Sequence, residues 1–231
     1  GYLIWKCYPK RRVFIDGRSL EYGPSHISLT ARWWMPGVFS ELDREWRFDY
    51  ALIYNTSHYA ARVFDESPDW ALAFWDDAAM VYLRRTPANA ELIRRTAYKL
   101  VRPNVQDFGY LLPLIKDKRA NAALIAEADR AFKGSERNVN AAQLKAFVLG
   151  ESGRPAEAAR ILQDAALRFP LKPGPLLALG WTHERANELL SARAAYLEAA
   201  GRASRSGDFM THSFALNNLG SVEMKLGDLR S

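Results

Sequence analysis

The spacing of apolar residues changes character near residue 104. Before it, short apolar runs alternate with turn-forming residues. Val13-Phe14-Ile15-Asp16, stopped by Gly17, reads as a buried strand and turn, and Tyr50–Tyr54 as a second buried strand. No polar residue interrupts either apolar run, so both faces need cover, and the two are expected to lie side by side in one sheet. Trp70–Trp75 and residues 79–83 flank Asp76-Asp77 as a hairpin. Between these, residues 28–45 are mixed and partly helical, with a break at Pro36-Gly37. Ser57 can cap a short helix through Phe64 that ends before Pro68, and Pro87 opens a helix over 88–101 that stops before Pro103. Strands alternating with helices and closing on a hairpin predict a small mixed α/β sheet over residues 1–104.

After residue 104 the pattern is helical. Residues 111–115 and 120–132 read as an antiparallel pair that links, over 105–138, to a segment with an internal repeat. Two stretches superpose at a spacing of 34 residues. Ala146 matches Gly180, Leu149 matches His183, Ala158 matches Ala192, Leu162 matches Tyr196 and Ala165 matches Ala199. The small residues fall where the first helix of a hairpin meets the second, and Leu162 and Tyr196 fill the groove between hairpins. Gly153 and Asn187 fall at the turns, where a left-handed backbone is needed. The first helices are expected at 141–151 and 176–185. A third copy starts about six residues late, since Leu219-Gly220 matches Leu179-Gly180 at a spacing of 40, and Gly227-Asp228 is read as its turn. This pattern resembles the tetratricopeptide repeat family over residues 139–231. It departs from the family at Asn187, where a turn glycine is usual, and at His183, where an aromatic or aliphatic residue is usual. The fold class is therefore α+β: a small α/β sheet unit followed by an all-α array of helical hairpins.

Composition narrows the function. Lys and Arg exceed Asp and Glu by 15 to 12 over residues 1–104 and by 17 to 14 over 105–231. The excess is spread evenly, so no basic face is concentrated and nucleic acid is not an expected partner. Cys7 is the sole cysteine, which excludes an internal disulfide. No run of 18 apolar residues exists, and residues 1–6 lack the pattern of a signal peptide. The chain starts without Met and stops part-way through a repeat, so it reads as a fragment of something longer, with membrane contact expected only through upstream segments.

Residues 3–18, with Tyr8-Pro9 and Val13-Phe14-Ile15-Asp16-Gly17-Arg18, followed by Tyr22-Gly23, resemble a segment of large bacterial membrane proteins of the multi-spanning, mannosyltransferase-like class. Trp70, Asp76-Asp77, Val81-Tyr82-Leu83, Tyr98 and Arg102-Pro103 fit the same resemblance, which covers residues 1–104. It implies the soluble tail of a lipid-linked-sugar glycosyltransferase-like enzyme on the extracytoplasmic face of an inner membrane; the alternative location is cytoplasmic. The acidic catalytic residue of that class would lie between membrane helices, so no catalytic residue is carried onto this chain.

No nucleophile–base pair, phosphate loop or metal-ligand spacing is present, and no cofactor is expected. His26, His58, His183 and His212 are scattered. Asp16 and Arg18, at a strand end, could hold a sugar or phosphate, though a salt-bridged turn is the commoner use of such a pair. Asp76-Asp77 reads as a solvated turn, and Asn55-Thr56-Ser57 matches a glycosylation triplet that arises often by chance. The repeats offer a larger surface. Their first helices line an inner face with Asn140, Gln143, Phe147 and Glu151, then Leu177, Trp181, Glu184 and Arg185, then Asn217, Asn218, Ser221, Met224 and Lys225. Asn218 sits where related peptide-clamping arrays place a carboxylate-binding Asn. Aromatic anchors flanked by polar groups suit a protein or peptide partner. The expected function is thus an interaction module. The rivals are the glycosyltransferase-like tail and, in a different class, a small-ligand-binding α/β domain using Asp16 and Arg18.

Overall fold

A computed structural model describes residues 6, 14, 19–55, 58–105, 107–135 and 138–228. The expected strand over 13–16, its place beside Tyr50–Tyr54, and the Asp16–Arg18 site lie outside the described residues. So do Cys7 and nearly all of residues 3–18. Helices α1 (Ser19–Ala31) and α2 (Pro36–Trp46) come first, then β1 (Tyr50–Tyr54), α3 (His58–Asp65), β2 (Trp70–Trp75) and β3 (Ala79–Arg84). Pro36 opens α2 as its first-turn residue, where a missing N–H costs nothing, and so starts a helix at the expected break.

The described strands form one antiparallel sheet in the order β1-β3-β2, with no parallel pairing among them. Strand β1 departs from expectation in its burial. It lies at an edge of the described sheet, with Leu52 46 % and Tyr54 64 % exposed, while Ile53 alone is buried. An antiparallel sheet can pack one face and leave the other to solvent, so an apolar run did not require two covered faces. The α2 helix reaches the sheet through Asp43, whose carboxylate pairs with Arg84 and accepts the Phe48 N–H at 3.2 Å.

The expected helix over 88–101 is shorter. A 3-10 turn at Pro87–Asn89 leads into α4 (Ala90–Thr96), and Ala97 is extended. The reason lies in α6. Glu127, 8 % exposed, accepts the backbone N–H groups of Lys99 at 2.8 Å, Leu100 at 3.0 Å and Val101 at 3.1 Å. A carboxylate that satisfies three consecutive N–H groups removes their need for helical carbonyls.

The rest is helical: α5 (Leu112–Lys116), α6 (Lys118–Gly134), α7 (Val139–Glu151), α8 (Pro155–Arg168), α9 (Gly174–Arg185), α10 (Leu189–Ser206) and α11 (Phe209–Asp228). Hairpins α7–α8 and α9–α10 match the expected positions within a turn. Gly153 (φ 79°) and Asn187 (φ 59°) take the left-handed backbone at the two turns. The small positions are buried: Ala146 at 2 %, Ala158 and Ala192 at 0 %, Ala165 at 1 % and Ala199 at 0 %. Gly180 shows why. A methyl group there would stand 2.4 Å from Tyr196 Cδ1, so the second hairpin trades the Ala146–Leu162 pair of the first for a smaller and a larger residue. The third copy departs from expectation. Helix α10 has 18 residues against 14 for α8, which delays α11, and α11 runs on through Gly227 to Asp228 without a turn at Gly227.

One hydrophobic core crosses residue 104. It joins Phe64, Trp75, Met80 and Tyr82 of the sheet unit to Leu124 and Ala128 of α6 and Ala141, Leu144 and Val148 of α7. Asp76-Asp77 reinforces that joint, which corrects the reading of a merely solvated turn. Asp76 folds the hairpin by accepting the Ala78 and Ala79 N–H groups at 2.9 Å each. Asp77 accepts the Val139 and Asn140 N–H groups at 3.1 and 2.9 Å, and so caps α7 from a distant part of the chain. Asn138 completes the joint, donating to the Trp75 carbonyl at 3.1 Å while its own oxygen accepts from Ala141 N at 2.9 Å. Asn55 is also spoken for: it is 5 % exposed and donates to the Asp76 carbonyl, so no glycan can be built on it as folded.

Candidate interaction surface on the helical array

Helices α7, α9 and α11 touch in sequence, and α8 and α10 pack behind them. Residues spaced by a repeat therefore become neighbours on one surface. Phe147 and Trp181 stack with ring centroids 5.8 Å apart and planes 20° from parallel. Phe108, from the short 3-10 turn Phe108–Leu111 before α5, extends the row, its centroid 5.4 Å from Phe147. The Arg185 guanidinium lies 4.9 Å from the Trp181 ring centroid, close enough for a cation–π contact. All three rings are half-buried, so each offers part of its face to solvent.

The charged residues of this surface bind one another. Glu151 on α7 pairs with Arg185 on α9 at 2.9 Å, and Glu184 on α9 pairs with Lys225 on α11 at 2.6 Å. The second Glu184 oxygen accepts the Tyr196 hydroxyl at 2.8 Å. Burial and this carboxylate push the Tyr196 hydroxyl far above the ordinary tyrosine range, so it stays a donor at any physiological pH. Asn218 hydrogen-bonds the same hydroxyl. Asn218 is half-buried, with its side chain toward Tyr196.

The structure thus brings Phe147, Glu151, Trp181, Glu184 and Arg185 into one contiguous surface. Leu177 is half-buried between the cores of the second hairpin. Gln143 packs its amide against Gly174 at the start of α9, where a methyl group would stand 2.9 Å from its Nε2 and oblige that flexible amide to shift. Asn140 is exposed at the α7 N-terminus, and Asn217 is exposed and Ser221 half-buried on α11. Phe108 escaped the sequence reading, although Asp107 capping Gly109 at 2.8 Å is a local signal for the turn that presents it.

A concavity of about 500 Å³ opens between α6, α7 and α8. Phe132, Leu149 and Ile161 line it, with a Lys145–Asp129 pair and a two-pronged Arg154–Glu157 pair at 2.6 and 2.7 Å. Among the described residues no group of three His, Cys, Asp or Glu side chains could hold a metal ion. No described helix is long and apolar enough to cross a membrane. No family model, curated protein or solved structure matches the chain.

Proposed function

We propose that this chain is an interaction scaffold of tetratricopeptide type that holds a protein or peptide partner on the face shared by α7, α9 and α11. The observation that carries the reading is the Phe108–Phe147–Trp181 row, three half-buried rings in contact, the last two stacked. Partly exposed aromatics at the centre of a surface are the usual energetic anchors of protein recognition. The repeat spacing supports it, since stacked hairpins present a continuous surface. The pairing of Glu151 with Arg185 and Glu184 with Lys225 defines the partner's chemistry. Those charges are neutralised in place, so the segment recognised carries aromatic or aliphatic anchors and needs no charge of its own.

The envelope location and the glycosyltransferase-like context belong to the same proposal and rest on the resemblance of residues 1–104. One experiment addresses both. The immobilised chain and its Trp181→Ala variant are offered envelope and cytosolic fractions separately, with circular dichroism as the folding control. The expected result is capture from the envelope fraction, weakened by about 2 kcal/mol, some thirtyfold, in the variant. Equal capture by both chains refutes the anchor, and capture from the cytosol alone refutes the location.

A further inference from the structure

Lys145 stands where the second hairpin has a buried leucine. Thirty-four residues on, the matching Leu179 is 6 % exposed and belongs to the core of that hairpin. Leucine at 145 would extend such packing without the cost of covering an ammonium. The lysine side chain is nonetheless largely covered, 18 % exposed, and pairs with Asp129 of α6. Its ammonium lies 5.3 Å from the Phe132 ring centroid. All three residues line the concavity between α6, α7 and α8. Lys145 and Leu149, its lining residues on α7, stand two positions to either side of Phe147, about 160° away around the helix. The concavity therefore opens away from the aromatic row, with α6 and α8 as its two banks.

The lining defines the ligand. Each helix contributes apolar surface, Phe132 from α6, Leu149 from α7 and Ile161 from α8. The charges around that surface almost cancel. Asp129 is paired with Lys145, and Glu157 with Arg154 at 2.6 Å. Asp164 faces Arg168 at 3.6 Å. Arg160 is the one lining cation without an ion pair or hydrogen bond among the described residues, and it is exposed. A single uncompensated positive charge beside an apolar floor selects a ligand with one negative charge and an apolar body. A phosphate monoester carries nearly two charges at neutral pH and exceeds that counter-charge, whereas a carboxylate equals it. The volume, about 500 Å³, falls in the ordinary range of small-molecule sites.

We propose that the concavity between α6, α7 and α8 binds an apolar monocarboxylate of fatty-acid type, its tail on Phe132, Leu149 and Ile161 and its carboxylate on Arg160. This site is independent of partner capture on the aromatic row. The test is isothermal titration calorimetry on the full chain with octanoate, octanol and octylammonium, three probes with one tail and three charges. Octanoate should bind with a dissociation constant of about 1 mM or lower. Octanol and octylammonium should bind about tenfold more weakly or worse, because they lack the charge-assisted bond. Arg160→Glu changes an exposed side chain and should stay folded by circular dichroism. It should lose octanoate by about tenfold or more and prefer octylammonium instead. Lys145→Leu, which copies the second hairpin, should fill the concavity and weaken octanoate and octanol alike. No heat with octanoate at millimolar concentration overturns the proposal. Equal affinity for octanoate and octanol overturns the recognition of charge. An Arg160→Glu chain that still prefers octanoate overturns the location. An apolar peptide with a free C-terminal carboxylate that binds where octanoate does not overturns the free acid as occupant.

Discussion

Gly180→Ala is the sharpest probe of how the second hairpin is closed. The added methyl would stand 2.4 Å from Tyr196 Cδ1, 2.5 Å from Cε1 and 2.9 Å from Cγ. Atoms so near the base of a rigid ring cannot swing aside as the tip of a lysine would. Tyr196 is 0 % exposed, and its hydroxyl is held by Glu184 at 2.8 Å, so the ring has nowhere to retreat. Overpacking of this kind costs about 2–3 kcal/mol in a closed core. Against it, Ala is favoured over Gly inside a helix by about 1 kcal/mol. The net loss should be about 1–2 kcal/mol, read as a fall in the urea midpoint at unchanged slope. The first hairpin supplies the control, because it closes the same joint with Ala146 and Leu162. Gly180→Ala combined with Tyr196→Leu copies that pair. In a double-mutant cycle the two changes should couple favourably by about 1 kcal/mol or more. A Gly180→Ala chain as stable as wild type would refute the claim that the contact with Tyr196, and not turn geometry, demands glycine at 180.

Glu127→Ala should cost about 3 kcal/mol, because the Lys99, Leu100 and Val101 N–H groups lose a charged acceptor in a largely covered site; faster amide exchange at those three residues would locate the damage. Asp77→Ala should cost about 1–2 kcal/mol through the uncapped α7, with exchange rising at Val139 and Asn140. Burial, outweighing those two hydrogen bonds, raises the Asp77 carboxyl above its usual value of 3.8. The unfolded chain therefore releases this proton first as pH rises, and the folded chain binds more protons in the window above 3.8. The stability of wild type relative to Asp77→Asn should accordingly fall as pH increases through that window, and a difference that rises with pH would contradict the assignment.

Local chemistry made some elements legible and hid others. The β2–β3 hairpin, the left-handed turns at Gly153 and Asn187 and the small residues of α7–α10 were readable because each depends on neighbours a few positions away or one repeat away. The end of α4 was not. It is set by Glu127, about thirty residues downstream, and no local stop signal stands at Ala97. Strand β1 misled because apolar composition reports a fit to a pleated surface, and not how many sides of that surface are covered. Gly227 misled because glycine permits a reversal without compelling one. At the candidate site, the 34-residue spacing of Phe147 and Trp181 placed the two rings together correctly. The ion pairs that tie Glu151 to Arg185 and Glu184 to Lys225 could not be read, since each residue alone looks like a free surface charge.

The joint made by Asp77, Asn138 and Trp75 bears on the order of assembly. Helix α7 obtains the acceptor for its first N–H groups, and the buried partner for Asn138, from a hairpin that precedes it by some sixty residues. The first repeat is therefore incomplete until that hairpin has formed and docked, whereas α9 and α10 start without side-chain caps and take none from the sheet unit. Nucleation from the second repeat, with the front of the array and the sheet closing together as one later cooperative event, is the sequence of steps this wiring favours. Tension on α7 would pull on the β2–β3 turn through the same hydrogen bonds, so the sheet unit and the front of the array hold together as one block.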